Sequence, residues 1–203
     1  MQKVGFEDRD ARIAIERGRV LFLLGDLGEA RKQFHAVEPI APDDPELRRY
    51  LRASEALAGL RARPALAAKV NAIGSPGEMR GVLAEVLLIL ARESKDPDLY
   101  ATALELFQAD LTLSPGSYVK ANAVGGVLLE MERPGEAAQV LRRAVALNPT
   151  LATTHFNLGL ALEREGQRAD AAKAYEEAIR LDPAWPKPRE KLTALRAAPA
   201  TAK

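Results

Sequence analysis

Three short stretches decide the fold: LTLSP at 111–115, VALNP at 145–149 and IRLDP at 179–183. Their prolines, Pro115, Pro149 and Pro183, are each 34 residues apart. Proline cannot continue a helix and disfavours helix in the residue before it, so each stretch ends a helical segment at the same point of a repeat. A period of this length predicts stacked pairs of helices.

The clearest repeat covers residues 152–185. Its first helix reads His155-x-x-Leu158-Gly159-x-x-Leu162, a turn follows at Gly166, and its second helix reads Ala171-x-x-x-Tyr175-x-x-Ala178 before Pro183. Small side chains allow two helices to cross closely, so the crossing is predicted at Gly159 and Ala171. The large side chains of Leu158, Leu162 and Tyr175 then fill the seam between the helices.

This pattern resembles the tetratricopeptide repeat, with His155 at the place where that family prefers tryptophan. Residues 118–151 repeat it closely, and residues 84–117 and 11–44 repeat it with Asp110 and Arg17 as departures. The resemblance implies an all-α fold, a right-handed α-solenoid of about five TPR-like helix hairpins plus a C-terminal capping helix.

The expected organisation has four parts. Residues 1–10 form an N-terminal extension, 11–76 two TPR-like repeats, 77–185 three TPR repeats, and 186–203 a capping helix and tail. The second repeat is degenerate: its first helix is expected to turn Tyr50, Ala53, Ser54 and Leu57 to one side, and Pro64 is expected to open its second helix. In the cap, Leu192 and Leu195 are expected to face inward.

Composition excludes several classes of protein. The 203 residues contain 29 basic and 28 acidic side chains, a balance that argues against a nucleic-acid binder. Cysteine is absent, which excludes disulfides and thiolate zinc sites. The longest apolar run, 86–91, is too short for a membrane span, and the polar N-terminus does not resemble a signal peptide, so a cytoplasmic protein is expected.

A binding surface follows from the resemblance. In the family, the first helix of each pair lines a concave groove that commonly binds an extended peptide or a partner helix. Carried over by repeat position, the partner-binding residues are Leu88, Arg92, Val119, Asn122, Thr153, Phe156, Asn157, Leu160, Lys187 and Lys191. Phe156 is the predicted exposed anchor, and its alternative is packing against the neighbouring unit or the cap.

A carboxylate clamp, which some family members use on a partner's C-terminus, is not expected here. Asn157, Lys187 and Lys191 stand at matching places, but Asn122 and Gly126 do not supply the first lysine and asparagine of the clamp. A looser preference for acidic partners near Lys187 and Lys191 remains open.

No cofactor, metal or catalytic site is predicted. His35 and His155 lack metal-ligand spacing, and the carboxylates of 43–44 and 96–98 stand beside prolines as turn and capping groups. The leading hypothesis is a non-enzymatic protein-interaction scaffold. The alternatives are an assembly chaperone or subunit of a larger bacterial complex (secretion or envelope machinery), or a repeat segment of a longer enzyme. Self-association through exposed repeat ends is also open.

Overall fold

A computed structural model describes residues 4–59, 64 and 76–197. Within these ranges the chain forms ten helices and no strand, which confirms the all-α prediction. They are α1 (Val4–Leu23), α2 (Leu27–Val37), α3 (Pro45–Ala58), α4 (Pro76–Ser94), α5 (Pro97–Leu113), α6 (Tyr118–Glu130), α7 (Pro134–Leu147), α8 (Ala152–Arg164), α9 (Arg168–Leu181) and α10 (Pro186–Ala197).

The chain divides into two compact units, residues 1–110 and 111–203. This division lies within α5 and does not coincide with the boundary expected at 76/77. Helix α1 starts at Val4, so most of the stretch expected to be an extension is part of the first helix. The expected second helix of the degenerate repeat lies outside the described residues, apart from Pro64.

Carboxylates and glycines set the helix ends. Asp44 accepts hydrogen bonds from the backbone N–H groups of Glu46 and Leu47, both at 2.9 Å, and Asp96 accepts from that of Asp98 at 3.0 Å. The capping role predicted for these carboxylates is confirmed. Gly166 has a φ of +76°, a left-handed conformation that lets the chain turn directly from α8 into α9.

Glycine makes the predicted helix crossings possible. A Cβ atom at Gly159 would lie 2.5 Å from the Tyr175 ring, and one at Gly125 would lie 2.5 Å from Leu141. In the N-terminal unit, a Cβ at Gly18 would lie 2.4 Å from Phe34. These distances are shorter than any normal carbon contact, so glycine is needed for each helix pair to approach this closely.

An aromatic cluster forms the core of the N-terminal unit. The Tyr50 ring lies edge-on to Phe22, with centroids 5.3 Å apart, and stacks on Phe34 at 5.4 Å. All three side chains are fully buried. Ala53, Ser54 and Leu57 are buried on the same helix as Tyr50, so the face predicted for α3 is confirmed.

Helix α10 covers the end of the C-terminal unit. Leu192 and Leu195 are buried as predicted, and the Arg168 side chain donates a hydrogen bond to the Leu195 carbonyl. Trp185, immediately before α10, lies against Phe156 of α8 with ring centroids 4.7 Å apart. Together these contacts hold the last helix against the final repeat.

Candidate functional site

The first helices of the last two repeats share a solvent-facing side with the capping helix. Helices α6 and α8 pack together, and Lys191 of α10 reaches Glu163 of α8, with Nζ and Oε2 3.5 Å apart. We call this side the α6–α8–α10 face. It contains the predicted residues that keep contact with solvent there: Val119, Asn122, Thr153, Asn157, Leu160, Lys187 and Lys191.

An amide pair lies on this face. The Asn157 side chain donates a hydrogen bond from Nδ2 to Oδ1 of Asn122, across α8 and α6, at 3.1 Å. Each amide has two N–H groups and an oxygen with two lone pairs, so this bond uses only part of its capacity. Both side chains are half-buried, and the space next to Gly126, one turn beyond Asn122, is open. A peptide backbone could therefore reach the remaining groups.

Apolar and small side chains flank the amides. Val119 is 59% exposed one turn before Asn122, which is unusual for a valine in a packed helix. Thr153 is exposed and Leu160 is half-buried, each about one turn from Asn157 on α8. The face thus combines hydrogen-bonding amides with accessible apolar surface.

Charged groups mark the end of the face formed by α10. Glu163 forms an ion pair with Lys191 and accepts a hydrogen bond of 2.5 Å from the Tyr175 hydroxyl. Burial raises the pKa of Tyr175 above its ordinary value, and its hydrogen bond to Glu163 raises the pKa further, so the phenol stays a donor. Lys187 is exposed and makes no ion pair with any described residue. Lys187 is therefore available to pair with a partner's carboxylate.

Two predicted site residues are buried. Phe156 is 9% exposed and packs between Tyr175, with ring centroids 5.7 Å apart, and Trp185. The prediction that it is an exposed anchor is wrong, because Trp185 reaches back from the end of the repeat and covers it. Leu88, which belongs to the N-terminal unit, is 8% exposed and lies in that unit's core, so it does not present a binding surface.

The N-terminal unit carries a different polar arrangement. Arg92 is exposed there, as predicted. An ion-pair network that sequence patterns did not predict lies in the same unit: Glu105 pairs with Arg19 at 3.1 Å and with Arg49 at 2.5 Å, and its side chain is 23% exposed. The partners are separated by 86 and 56 residues, so no helical spacing could indicate the network.

The described ranges contain neither a metal-binding cluster nor a membrane-spanning helix. No three histidine, cysteine, aspartate or glutamate side chains there are grouped to hold a metal ion. No helix in the described part of the chain combines the length and apolar character that crossing a membrane requires.

Comparisons with known proteins identify the same repeats that the sequence pattern predicts. A family model described as the tetratricopeptide repeat matches residues 152–185, and one described as the TPR repeat matches 125–166. No curated protein matches the chain at a significant level of sequence similarity.

Solved structures share the fold at low identity. TTC0263, a thermophilic TPR protein from Thermus thermophilus, is 20% identical, covers 93% of this chain and 100% of its own, and gives a TM-score of 0.58. The second TPR domain of human RPAP3, in complex with an HSP70 peptide, is 14% identical, with coverages of 60% and 99% and a TM-score of 0.52. An O-GlcNAc transferase from Thermobaculum terrenum is 24% identical, with coverages of 64% and 25% and a TM-score of 0.51.

The repeat pattern, the glycine-mediated helix crossings and the two family models agree. Helix pairs of the same construction occur in both compact units, at Gly18 and at Gly159. Residues 125–185 of this chain are tetratricopeptide repeats, and the chain shares its fold with a solved TPR protein.

Proposed function

We propose that this protein is a non-enzymatic scaffold that holds an extended segment of a partner protein on the α6–α8–α10 face. The observation that carries the proposal is the pair formed by Asn122 and Asn157, two amides with unused hydrogen-bonding groups on a solvent-facing side. An extended backbone offers one donor and one acceptor per residue, which side-chain amides can satisfy whatever the partner's sequence.

The surroundings of the amide pair favour a particular kind of segment. Val119 and Leu160 supply apolar contact on either side of the amides, and apolar side chains of a partner would gain from covering them. Lys187 is available at the α10 end, so an acidic residue or a terminal carboxylate is expected there. The peptide complex of the human RPAP3 domain lends support by analogy of fold.

Affinity capture from source cells with matched variants tests the proposal. Replacing both amides, Asn122→Ala with Asn157→Ala, removes hydrogen bonds to the partner backbone and is expected to weaken binding about tenfold. Gln139→Ala is the control, because Gln139 is an exposed amide on α7 outside the face. Equal capture by the double variant and the control would place the binding surface elsewhere.

Two other functions remain as alternatives. An assembly chaperone or subunit of a larger bacterial complex would use the same face, and it differs in that its partner becomes insoluble when the scaffold is deleted. A repeat segment of a longer enzyme is favoured by the O-GlcNAc transferase, a quarter of whose chain is matched. A catalytic region encoded in the same reading frame would support that alternative.

A further inference from the structure

A separate pocket lies between α7, α8 and α9, entirely within residues 111–203. It has a volume of about 360 Å³, within the range of small-molecule and side-chain pockets. Its lining has a mainly apolar part, which we call the floor (Val145, His155, Leu158, Leu162 and Ala174), and a charged part, which we call the rim (Arg142, Asp170, Lys173 and Glu177). It uses a different side of α8 from Asn157, which turns toward α6.

His155 gives this apolar floor one hydrogen-bond acceptor. The side chain is only 9% exposed, and its Nε2 atom lies 2.8 Å from the carbonyl oxygen of Pro149. A carbonyl can only accept, so Nε2 carries the proton and donates it. In the neutral imidazole Nδ1 is then an acceptor, and no described residue makes a hydrogen bond to it, although Glu177 lies near enough to interact electrostatically with the ring.

Three of the four charged groups on the rim are already paired, and the fourth, Arg142, is hydrogen-bonded to a neutral amide. Lys173 binds Asp170 at 2.9 Å, and Arg142 donates to Gln167 at 3.3 Å. Glu177 is held by Arg180, which lowers the pKa of that carboxyl. A charged ligand would therefore have to compete with existing pairs, whereas an apolar ring with a single N–H group would match the floor and its acceptor.

We propose that this pocket binds a tryptophan side chain of a partner protein, with the indole N–H donating to Nδ1 of His155. Indole has one donor and no acceptor, so it leaves no unsatisfied polar group in the pocket. Leu158 and Leu162 contact its apolar surface, and tryptophan is a frequent anchor of protein interfaces. This site is independent of the α6–α8–α10 face and does not require it.

A thermodynamic cycle tests the hydrogen bond. The full chain is titrated with N-acetyl-tryptophanamide and with its 1-methylindole analogue, which lacks the N–H, and binding is followed by the methyl NMR signals of Leu158, Leu162 and Ala174. We expect the methylated probe to bind roughly fivefold more weakly, the effect of one net hydrogen bond. In His155→Ala this difference should disappear. A difference that persists in the variant would assign the acceptor to another group, such as Glu177, and overturn the proposal.

Two further variants separate binding from folding. His155→Ala is expected to fold, because Ala121 occupies the same repeat position in the preceding unit and is fully buried. Ala174→Leu fills the pocket without changing His155 and should abolish probe binding, whereas Ala169→Leu adds the same volume at an exposed site of α9 and should not. Absence of any shift in the pocket signals at millimolar probe would refute the site.

Discussion

The two units each contain a cluster of three aromatic rings, and the clusters differ in what surrounds them. In the N-terminal unit, Phe22, Phe34 and Tyr50 are fully enclosed. In the C-terminal unit, Phe156 lies between the buried Tyr175 and Trp185, which retains some exposure. The first cluster is a closed core, and the second reaches the surface next to the proposed binding face.

The tyrosine hydroxyls of the two clusters also differ in their hydrogen bonding. Tyr175 donates to Glu163, which also binds Lys191, so the second cluster is linked to polar groups of the α6–α8–α10 face. The enclosed hydroxyl of Tyr50 makes no hydrogen bond of normal geometry with any described residue, although the nearby Glu105 carboxylate adds to the effect of burial in raising the pKa of this phenol. The two cores therefore differ in whether the tyrosine hydroxyl makes a hydrogen bond of normal geometry to a carboxylate.

Removing a ring should have the largest effect. Phe34→Ala and Phe156→Ala each delete a buried aromatic side chain and are expected to lower the free energy of unfolding by about 3–5 kcal/mol. Denaturation followed by circular dichroism measures this loss. Because Trp185 is the only tryptophan, Phe156→Ala should also shift its fluorescence to longer wavelength, while Phe34→Ala should leave native emission unchanged. A shift with Phe34→Ala would break the distinction between the clusters.

The neighbouring glycines of α6 should respond in opposite directions. Gly125→Ala forces a Cβ into Leu141 and is expected to destabilise the fold by about 2 kcal/mol. At Gly126 a Cβ meets nothing within 4 Å, so Gly126→Ala should stabilise the helix by about 0.5–1 kcal/mol. Thermal melting of the two variants checks the signs. Stabilisation by Gly125→Ala would mean that the helix crossing is looser than described.

Removing the two tyrosine hydroxyls should have the smallest effects on the free energy of unfolding. Tyr175→Phe removes a hydrogen bond to a carboxylate and is expected to cost about 1–2 kcal/mol. Tyr50→Phe removes a buried hydroxyl that makes no hydrogen bond of normal geometry, so it should cost less than Tyr175→Phe and be close to neutral. Urea unfolding at neutral pH compares them, and an equal loss in both variants would show that Tyr50 also has a partner.

Alkaline pH provides a second comparison of the tyrosines. Burial raises the pKa of both phenols in the folded protein, so folding disfavours the phenolate. The associated stability is complete below the ordinary tyrosine pKa of about 10 and is lost as the pH rises above it. Each Tyr→Phe variant should therefore lose less unfolding free energy between pH 9 and 11 than the unmodified chain. The difference corresponds to the ionisation of one phenol in the unfolded state for each tyrosine removed.

Local signals explain why the helices could be predicted. Proline at a fixed period ends each repeat, and glycine such as Gly159 marks where the paired helix crosses; both effects depend on residues within one repeat. Signals within one repeat could not predict the burial of Phe156, because the residue that covers it, Trp185, lies 29 residues further along the chain. The ion pairs of Glu105 could not be predicted either, because Arg19 and Arg49 lie on helices distant in the sequence.

For the candidate site, the sequence predicted positions within a repeat but not the contacts between helices. Val119, Asn122 and Asn157, which repeat position predicted as partner-binding, lie on a solvent-facing side. Repeat position could not show that the two asparagines bond to each other, because that bond depends on how α6 and α8 pack. The pocket beside His155 was missed because it forms from three helices around a side chain that, in the sequence, only departs from the repeat pattern.

Site-specific photo-cross-linking in source cells tests the proposed binding face most directly. A photoreactive amino acid is placed at Val119, on the α6–α8–α10 face, and in a separate variant at Ala169, exposed on α9. The proposal predicts a discrete protein adduct from position 119 that is lost when Asn122 and Asn157 are replaced by alanine, and no such adduct from position 169. An adduct from position 169 alone would contradict it.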